Sequence, residues 1–237
     1  MTDPTAPGPL AAIAALMADP ARARMLAALM GGEALTAGEL ARVAGVTAAT
    51  ASGHLARLSE GGLVLVHAQG RHRYHRLASE QVAAAIETLG GLAAEIAPAR
   101  SWKHGETARQ ARLCWNHLAG RLGVTLHERL TGEGLLRPVP GGWDAVPEAR
   151  ARLSATGVDL DRADAAPRFA CDCMDWSERR PHLAGGLGRE IASAWIARGW
   201  LRRLPAAGEG DILARRRVEL TPAGRRGLKD AIGLETA

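Results

Sequence analysis

The amino-acid sequence predicts a mainly α protein with small β-hairpins, and three observations lead to this expectation. Apolar residues recur at helical spacing, as in the segment 82–96. Short alternating segments separated by glycine-containing turns are typical of hairpins. A segment of the second half recurs further along the chain, which indicates a duplicated unit. Because 237 residues leave room for two cores, we expect two domains.

Residues 36–62 carry the pattern of two helices joined by a tight turn. Thr36 and Glu39 have the spacing of a capping box, in which each side chain satisfies a backbone donor at the start of a helix. Gly45 supplies the permissive backbone that a sharp turn requires. A second helix is expected from Thr47 to Glu60. The pair predicts a helix-turn-helix.

A two-stranded wing is expected after the second helix. Residues 63–69 alternate toward a strand, Gly70 and Arg71 make a tight turn, and residues 72–77 return. Protein-binding winged helices share this outline, but cations at a hairpin tip favour contact with phosphate or the minor groove. The polar face of the second helix suits base edges in the major groove. The predicted DNA-contacting residues are Thr47, Thr50, Ser52, His54 and Arg57 on the helix, and Arg71 and Arg73 on the wing.

The segments around this winged helix-turn-helix are predicted to complete a first domain. Residues 1–9 are rich in proline and threonine and are expected to form a disordered tail. Two helices are expected within residues 10–30, the second capped by Asp19. Ser79 is expected to cap a long helix after the wing, and residues 98–104 look like a hinge. The apolar stripe of the long helix consists of Val82, Ile86, Leu89 and Ala93.

The segments 17–22 and 35–77 resemble the DNA-binding domain of the ArsR family of bacterial repressors, and the resemblance covers about residues 10–97. It implies a homodimer, paired through the long helix and the first helix, that binds an inverted-repeat operator in double-stranded DNA and responds to an effector. The apolar stripe could instead pack within one chain. Members that sense metal through Cys-Val-Cys carry it where this chain has Ala41-Arg42-Val43, and residues 79–97 contain no His, Cys or Asp. Neither familiar metal site of that family can be built from these segments.

Composition limits the remaining classes of function. The net charge is +5 and the sequence pI is about 9.8, a balance that favours nucleic acid, although the motif is the stronger argument for DNA. We expect no membrane span and no export signal, and therefore a cytoplasmic protein. Three cysteines, an odd number, argue against a disulfide framework and favour reduced thiols.

The second half of the chain contains an internal repeat. Residues 117–123 recur as residues 182–188, and the register persists from residues 134–137 to residues 199–202. Each copy is expected to contain a helix, a loop, a helix, a short strand, a turn, a strand and a helix. Two tandem winged-helix-like repeats are therefore predicted. The predicted boundaries are 10–97 for the DNA-binding and dimerisation domain, 98–104 for the hinge, and 105–237 for the duplicated sensor domain, with repeats at about 105–160 and 170–237.

The two copies are expected to pack around a pseudo-two-fold axis, where matching residues approach one another. His117 and His182 are matching residues. Cys114 lies three positions before His117, a spacing that on a helix puts both side chains on one face. The candidate metal or effector residues in these segments are Cys114, His117, Cys171, Cys173, Asp175, Glu178 and His182.

Residues 109–228 are similar to a longer ArsR-family branch with an appended C-terminal domain. In that branch Cys-x-x-His-Leu-Ala-Gly and Cys-x-Asp-Trp-x-Glu-Arg-x-x-His-Leu-Ala-Gly recur. This chain has Asn116 where the branch is expected to carry an acidic residue, and Cys171 is additional. The motif positions fall here on Cys114, His117, Cys173, Asp175, Trp176, Glu178 and His182.

Several chemistries are open to these residues. Cys114, His117, Cys173 and His182 would make a four-coordinate set for zinc or copper. Cys114, Cys171 and Cys173 would instead suit arsenite as a trigonal ion. The cysteines could also be core residues or redox-sensitive thiols. An organic ligand is a further alternative, because aromatic walls suit a small-molecule pocket. The neighbouring tryptophans are Trp115, Trp176, Trp195 and Trp200.

Catalysis is the remaining class of function. Thiol and imidazole groups three positions apart on a helix seldom align with the oxyanion donors that acyl transfer needs. The sequence shows neither a phosphate-binding glycine loop nor a supported Ser-His-Asp set. We therefore predict no catalytic residue, and a thiol-dependent enzyme stays as an alternative. The prediction is a DNA-binding repressor whose effector is sensed by residues 105–237.

Overall fold

The computed structural model describes residues 8–96, 105–205 and 215–235, and they form a mixed α/β arrangement of helices and small antiparallel sheets. Within these ranges, none of the helices has the length and apolar character needed to cross a membrane. The expected hinge at residues 98–104 lies outside the described residues, as do residues 1–7 of the expected tail. The domain boundaries therefore stay predictions.

The first half is a winged helix-turn-helix. Its helices are α1 (Pro9–Ala18), α2 (Pro20–Leu29), α3 (Ala37–Ala44), α4 (Ala48–Glu60) and α5 (Glu80–Ile96). Its strands are β1 (Leu35–Thr36), β2 (Val64–Gln69) and β3 (His72–Leu77). The strands form one sheet in the order β1-β3-β2, in which β2 and β3 are the predicted wing. The short strand β1 is an addition to the predicted elements.

Local capping explains where these helices begin. The capping box of Thr36 and Glu39 is present, with the Glu39 amide 3.3 Å from Oγ1 of Thr36. Asp19 accepts from two amides at the start of α2, and Thr47 accepts from the Thr50 amide at the start of α4. Gly45 ends α3 in the left-handed conformation, which a glycine adopts at low cost. These predictions are confirmed.

The second half repeats one order of elements. Its first copy contains α6 (Gly105–Gln110), β4 (Arg112–Cys114), β5 (His117–Ala119), α7 (Gly120–Gly132), β6 (Leu136–Val139), β7 (Gly142–Ala145) and α8 (Pro147–Ala155). The second copy contains α9 (Leu160–Asp164), β8 (Cys171–Met174), β9 (Pro181–Ala184), α10 (Gly185–Ala197), β10 (Leu201–Arg203), β11 (Val218–Leu220) and α11 (Pro222–Ile232). The order in both is helix, hairpin, helix, hairpin, helix. Whether each copy is a winged helix in its own right stays a prediction.

The prediction that Cys114 and His117 share a helix face is wrong. Both residues lie in a β-hairpin, where they are cross-strand partners in the β4–β5 pairing. Trp115 has a φ of 58°, which is incompatible with a right-handed helix and closes a two-residue turn with Asn116. A separation of three residues between a cysteine and a histidine is therefore compatible with a helix face and with a hairpin. The turn at Trp115 determines that the hairpin forms here.

A pseudo-two-fold relationship links the two copies. Gly123 on α7 lies so close to the second hairpin that an added Cβ would be 3.5 Å from Cβ of His182. Gly188 on α10 has the matching place, with Cβ of His117 at 3.2 Å. Trp195 and apolar residues of both copies are buried in one cluster. The copies therefore share a core, and the two histidine-bearing hairpins meet at its centre.

The two halves of the chain are also packed together. The Trp115 amide donates to the Met30 carbonyl at 2.8 Å, so the turn of the first hairpin lies against the end of α2. Cys114 and Ala119 belong to the same buried cluster as the winged-helix core. Arg215 lies 3.4 Å from Glu39 on α3. Contacts between the halves therefore reach both α2 and α3.

Candidate metal centre and nucleic-acid interface

The predicted recognition helix α4 presents a polar, exposed side. Thr47, Thr50, Ser52 and Arg57 are all exposed. Oγ1 of Thr47 lies 2.9 Å from Oγ1 of Thr50, and the Ser52 hydroxyl donates to the Ala48 carbonyl at 2.9 Å. These hydrogen bonds are local, so the hydroxyl groups stay accessible to an external partner.

His54 differs from the other predicted contacts. Its Nδ1 lies 3.8 Å from Asp19 and 3.5 Å from Arg22, so the ring is half-buried against the start of α2. Arg71 and Arg73 on the wing are exposed. The structure thus leaves six of the seven predicted side chains exposed and turns His54 inward.

The two central hairpins each supply one cysteine and one histidine. Cys114 pairs with His117 across the first hairpin, and Cys173 pairs with His182 across the second. Cross-strand partners in an antiparallel pair place their side chains on the same face. The pseudo-two-fold packing then brings the two Cys-His pairs together.

The resulting cluster has the dimensions of a four-coordinate metal site. The Sγ atoms of Cys114 and Cys173 are 4.0 Å apart, and the Nε2 atoms of His117 and His182 are 3.1 Å apart. All four ligand atoms lie within 4.8 Å of one another. A tetrahedral ion with thiolates at about 2.3 Å and imidazoles at about 2.0 Å separates its sulfur atoms by about 3.8 Å and its nitrogen atoms by about 3.3 Å. The residues present therefore fit a thiophilic ion.

Burial and mutual contacts shift the pKa values of the side chains in this cluster. Hydrogen bonding to Cys173 and desolvation raise the pKa of the Cys114 thiol to about 12. Desolvation lowers the pKa of His182, which keeps its imidazole neutral. Although burial opposes its charged form, contact with Cys114 raises the pKa of His117. A metal ion binds neutral imidazole and thiolate, so a bound cation would favour both of these forms in the cluster.

A buried set of charges surrounds the cluster. Asp175 accepts hydrogen bonds from Arg112 at 2.9 Å and from the Gly120 amide at 2.6 Å. Although burial opposes its ionisation, Arg112 holds the pKa of Asp175 far below its usual value. Arg112 also lies near Glu87 of α5, which accepts from Arg216 at 2.7 Å. These four charges compensate one another.

Three predicted effector residues lie outside the four-ligand cluster: Asp175, described above, and two others, Cys171 and Glu178. Cys171 is buried on β8 and lines a cavity of about 420 Å³ that also reaches Cys114 and Cys173. Glu178 is half-buried and accepts from the Ser177 hydroxyl at 3.2 Å. Neither side chain contributes an atom to the clustered set.

Three charged residues that surround the ligand cluster were not predicted from the sequence: Glu87, Arg112 and Arg216. The one available signal was Glu87, one of the carboxylates that interrupt a mainly apolar helix. The arginines gave no signal, because charged residues at or just before the start of a short strand are common. Their function depends on partners far away in the sequence.

Comparison with known proteins identifies the family. A family model described as a helix-turn-helix domain matches residues 17–67. The HTH-type transcriptional regulator YdfF of Bacillus subtilis (strain 168) is 35% identical over 219 residues, which cover 91% of this chain and 93% of the relative. The chain belongs to the ArsR family of helix-turn-helix transcriptional regulators. Its similarity to YdfF extends through the second half, so the regulator is of the longer type with a C-terminal extension.

Other relatives of this ArsR-family regulator match its first half. The HTH-type transcriptional regulator YgaV of Escherichia coli (strain K12) is 35% identical over 79 residues, which cover 33% of this chain and 80% of YgaV. The homodimeric winged helix-turn-helix DNA-binding domain Mb0332 of Mycobacterium bovis, a possible ArsR-family transcriptional regulator, is 26% identical. The match covers 39% of this chain and 86% of the Mb0332 chain, with a TM-score of 0.35.

Proposed function

We propose that this ArsR-family regulator is a homodimeric repressor that binds an inverted-repeat operator and senses a thiophilic metal ion, zinc or copper. The ion would be held by Cys114, His117, Cys173 and His182. The observation that carries the proposal is the convergence of these four ligand atoms within 4.8 Å. Cys171 lies outside that cluster, which favours a four-coordinate ion over arsenite bound by three thiolates.

The exposure of α4 and the wing supports operator binding. Residues of the second half pack against α2, α3 and α5, whereas Thr50, Ser52 and Arg57 on α4 are exposed. A recognition helix needs its polar side free to enter the major groove. Arg71 on the exposed wing is suited to contact phosphate or the minor groove.

Exposed apolar residues on two helices support a homodimer. Helix α1 has no buried residue, and Leu10 and Ile13 on it are exposed. Leu89 and Leu92 are exposed on α5. Exposed apolar groups of this kind are typical of surfaces that become buried in an assembly. The opposite side of α5 carries Glu87 and packs on the second half, so one helix serves both contacts.

The proposed sensing step acts on the contacts between the two halves. Binding of an ion would fix the two hairpins relative to one another. The turn at Trp115 lies against Met30 at the end of α2, so a shift of the first hairpin would be transmitted to the helix-turn-helix. We further propose that the two halves reorient about residues 98–104 and thereby change the separation of the two recognition helices.

The test combines metal analysis with operator binding by the full-length protein. Protein purified without added metal is analysed for bound elements, and its operator affinity is measured with zinc or copper(I) and with a chelator. We expect one ion per chain and a metal-dependent change in affinity. Cys114→Ser, Cys173→Ser and His182→Ala should abolish both, whereas the control Cys171→Ser should retain both. The absence of metal-dependent operator binding in the wild-type protein would overturn the proposal.

Oxidation of the same thiols is a second candidate function, favoured by the 4.0 Å separation of the Cys114 and Cys173 sulfur atoms. A peroxide could take two electrons and two protons from the two thiols, forming a disulfide and water. The raised pKa of Cys114 opposes this reaction, because the thiolate is the reactive form. Loss of two free thiols on peroxide treatment of metal-free protein, together with altered operator affinity, would favour redox sensing.

A further inference from the structure

Helix α5 is connected to the candidate metal centre by a buried chain of three side chains, Glu87, Arg112 and Asp175, called here the carboxylate–arginine chain. Arg112 lies 3.4 Å from Glu87 and 2.9 Å from Asp175, so one guanidinium joins the two carboxylates. All three side chains are buried, and Arg216 supplies the second positive charge at Glu87. Such a chain transmits position because buried charges cannot exchange their partners for water.

Asp175 is the member of the carboxylate–arginine chain that faces the metal centre. Its Oδ2 lies 3.5 Å from Nδ1 of His182, and this buried nitrogen has no hydrogen-bond partner within the described parts of the chain. Nε2 of His182 faces His117, so Nδ1 is the nitrogen left for a supporting contact. A histidine that binds metal commonly donates its other ring N–H to a carboxylate, which fixes the tautomer and the ring orientation.

Asp175 itself is fixed independently of the ligands. One carboxylate oxygen accepts from the amides of Ser177 and Glu178, and the other accepts from the Gly120 amide at the start of α7. These contacts come from the long turn of the second hairpin and from the first copy. The carboxylate is therefore held in place before any ion binds.

We propose that Asp175 positions His182 for the ion, and that the carboxylate–arginine chain couples the occupied centre to helix α5. This inference rests on the proposed function, because it requires an ion at the Cys/His cluster. Helix α5 also carries Leu89 and Leu92, the exposed residues assigned above to the dimer contact. A rearrangement of the two hairpins on ion binding carries the anchored Asp175 carboxylate with them, and Arg112 passes this movement to the helix that carries the proposed dimer contact.

Cobalt(II) is the probe for the test, because its visible spectrum responds to the orientation of its ligands. Asp175→Asn should lower the cobalt affinity by about 10- to 100-fold and alter the spectrum, since the variant weakens the support of His182. Glu87→Gln should leave cobalt affinity and spectrum close to those of the wild type. In the wild type, the operator Kd with metal and the operator Kd without metal should differ by roughly 5- to 150-fold, the range typical of allosteric coupling. In Glu87→Gln this ratio of Kd values should fall toward one.

Glu133→Gln is the matched control, because Glu133 forms an exposed ion pair with Arg129 on α7. This variant should keep the wild-type cobalt affinity and operator ratio. A Glu87→Gln protein with the full operator ratio would overturn the coupling. An Asp175→Asn protein with wild-type cobalt affinity and spectrum would overturn the positioning role. Absence of cobalt binding by the wild type would instead refute the proposed metal function, and this inference with it.

A measurement on the wild-type protein covers the case in which Glu87→Gln does not fold. Amide hydrogen exchange in residues 84–91 is compared between metal-free and cobalt-loaded protein. Slower exchange in the cobalt-loaded protein is expected, because the carboxylate–arginine chain then holds α5 against an ordered metal centre. Equal exchange rates in the two forms would refute the coupling.

Discussion

His117 and His182 face one another across the pseudo-two-fold axis, with their rings stacked at a centroid distance of 5.1 Å and an interplanar angle of 29°. Their Nε2 atoms are 3.1 Å apart, and at most one of them can donate to the other as a neutral imidazole. A cation between the hairpins offers both nitrogens, as well as the adjacent thiols, a common partner. The arrangement therefore links metal binding to the stability of the fold.

Zinc is expected to stabilise the folded protein. A ligand that binds only the folded state at about one hundred times its Kd adds about 2.7 kcal/mol to the free energy of unfolding. Urea unfolding with zinc and with chelator measures this difference. His182→Ala should lose the zinc-dependent part, and Cys171→Ser should keep it. Equal stabilisation of the wild type and His182→Ala would show that zinc binds elsewhere.

A side chain at Gly188 is expected to disrupt the centre. In Gly188→Ala the new Cβ would overlap the Leu183 carbonyl oxygen and would be 3.2 Å from Cβ of His117, so the backbone must move. We expect a loss of stability of about 1–3 kcal/mol, as for other overpacked sites, together with weaker metal binding. Gly132→Ala is the control on α7, where an added Cβ meets nothing within 4 Å. It should be neutral or stabilising by up to about 1 kcal/mol.

Operator binding is expected to depend on salt through the wing and the recognition helix. Arg57→Ala and Arg71→Ala should each weaken binding, and an arginine that contacts phosphate should reduce the slope of log K against log salt by about 1. Arg152→Ala is the control, because Arg152 is an exposed residue of the second half that pairs with Glu148. An unchanged affinity in both arginine variants would remove α4 and the wing from the interface.

Acid is expected to destabilise the winged helix through His75. Burial, helped by the nearby Arg73, lowers the pKa of His75, whose Nδ1 lies 3.3 Å from the Leu35 carbonyl. Above the unfolded-state value of about 6.5 both states are neutral at this residue. Below it the unfolded chain takes up the proton first, so stability falls as the pH decreases toward the folded-state pKa.

Urea unfolding between pH 7.5 and pH 5.5 tests the role of His75. His75→Gln should flatten the decline in the free energy of unfolding over this interval. His72→Gln on the exposed wing is the control and should follow the wild type. A decline of the same size in His75→Gln and the wild type would assign the effect to other groups.

The first half could be predicted from the sequence because its signals are local. Thr36, Glu39 and Gly45 lie in or next to α3, the helix whose ends they determine. Each has the predicted conformation. The cluster of Cys114 with Cys173 could also be proposed, because the repeat indicated which segments meet. The hairpin that holds Cys114 could not, since helix and hairpin share the same spacing and only the turn at Trp115 separates them.

The carboxylate–arginine chain was beyond sequence reasoning for a different reason. Glu87 and Arg112 belong to different halves of the chain, and Asp175 belongs to the other copy of the repeat. These side chains come into contact only after the first half and the two copies of the repeat have packed together. No periodicity or motif in the sequence connects such positions. The orientation of His54 toward Asp19 was missed for the same reason, because it depends on the packing of α2 against α4.

The division of the ligands between two hairpins has an implication for ancestry. Each copy supplies one thiol and one imidazole, so a solitary copy holds half of a coordination shell. An unduplicated forerunner could have completed the shell only by self-association, with one Cys-His pair from each molecule. Fusion of two such units would have turned an encounter between molecules, dependent on concentration, into a fixed property of one polypeptide.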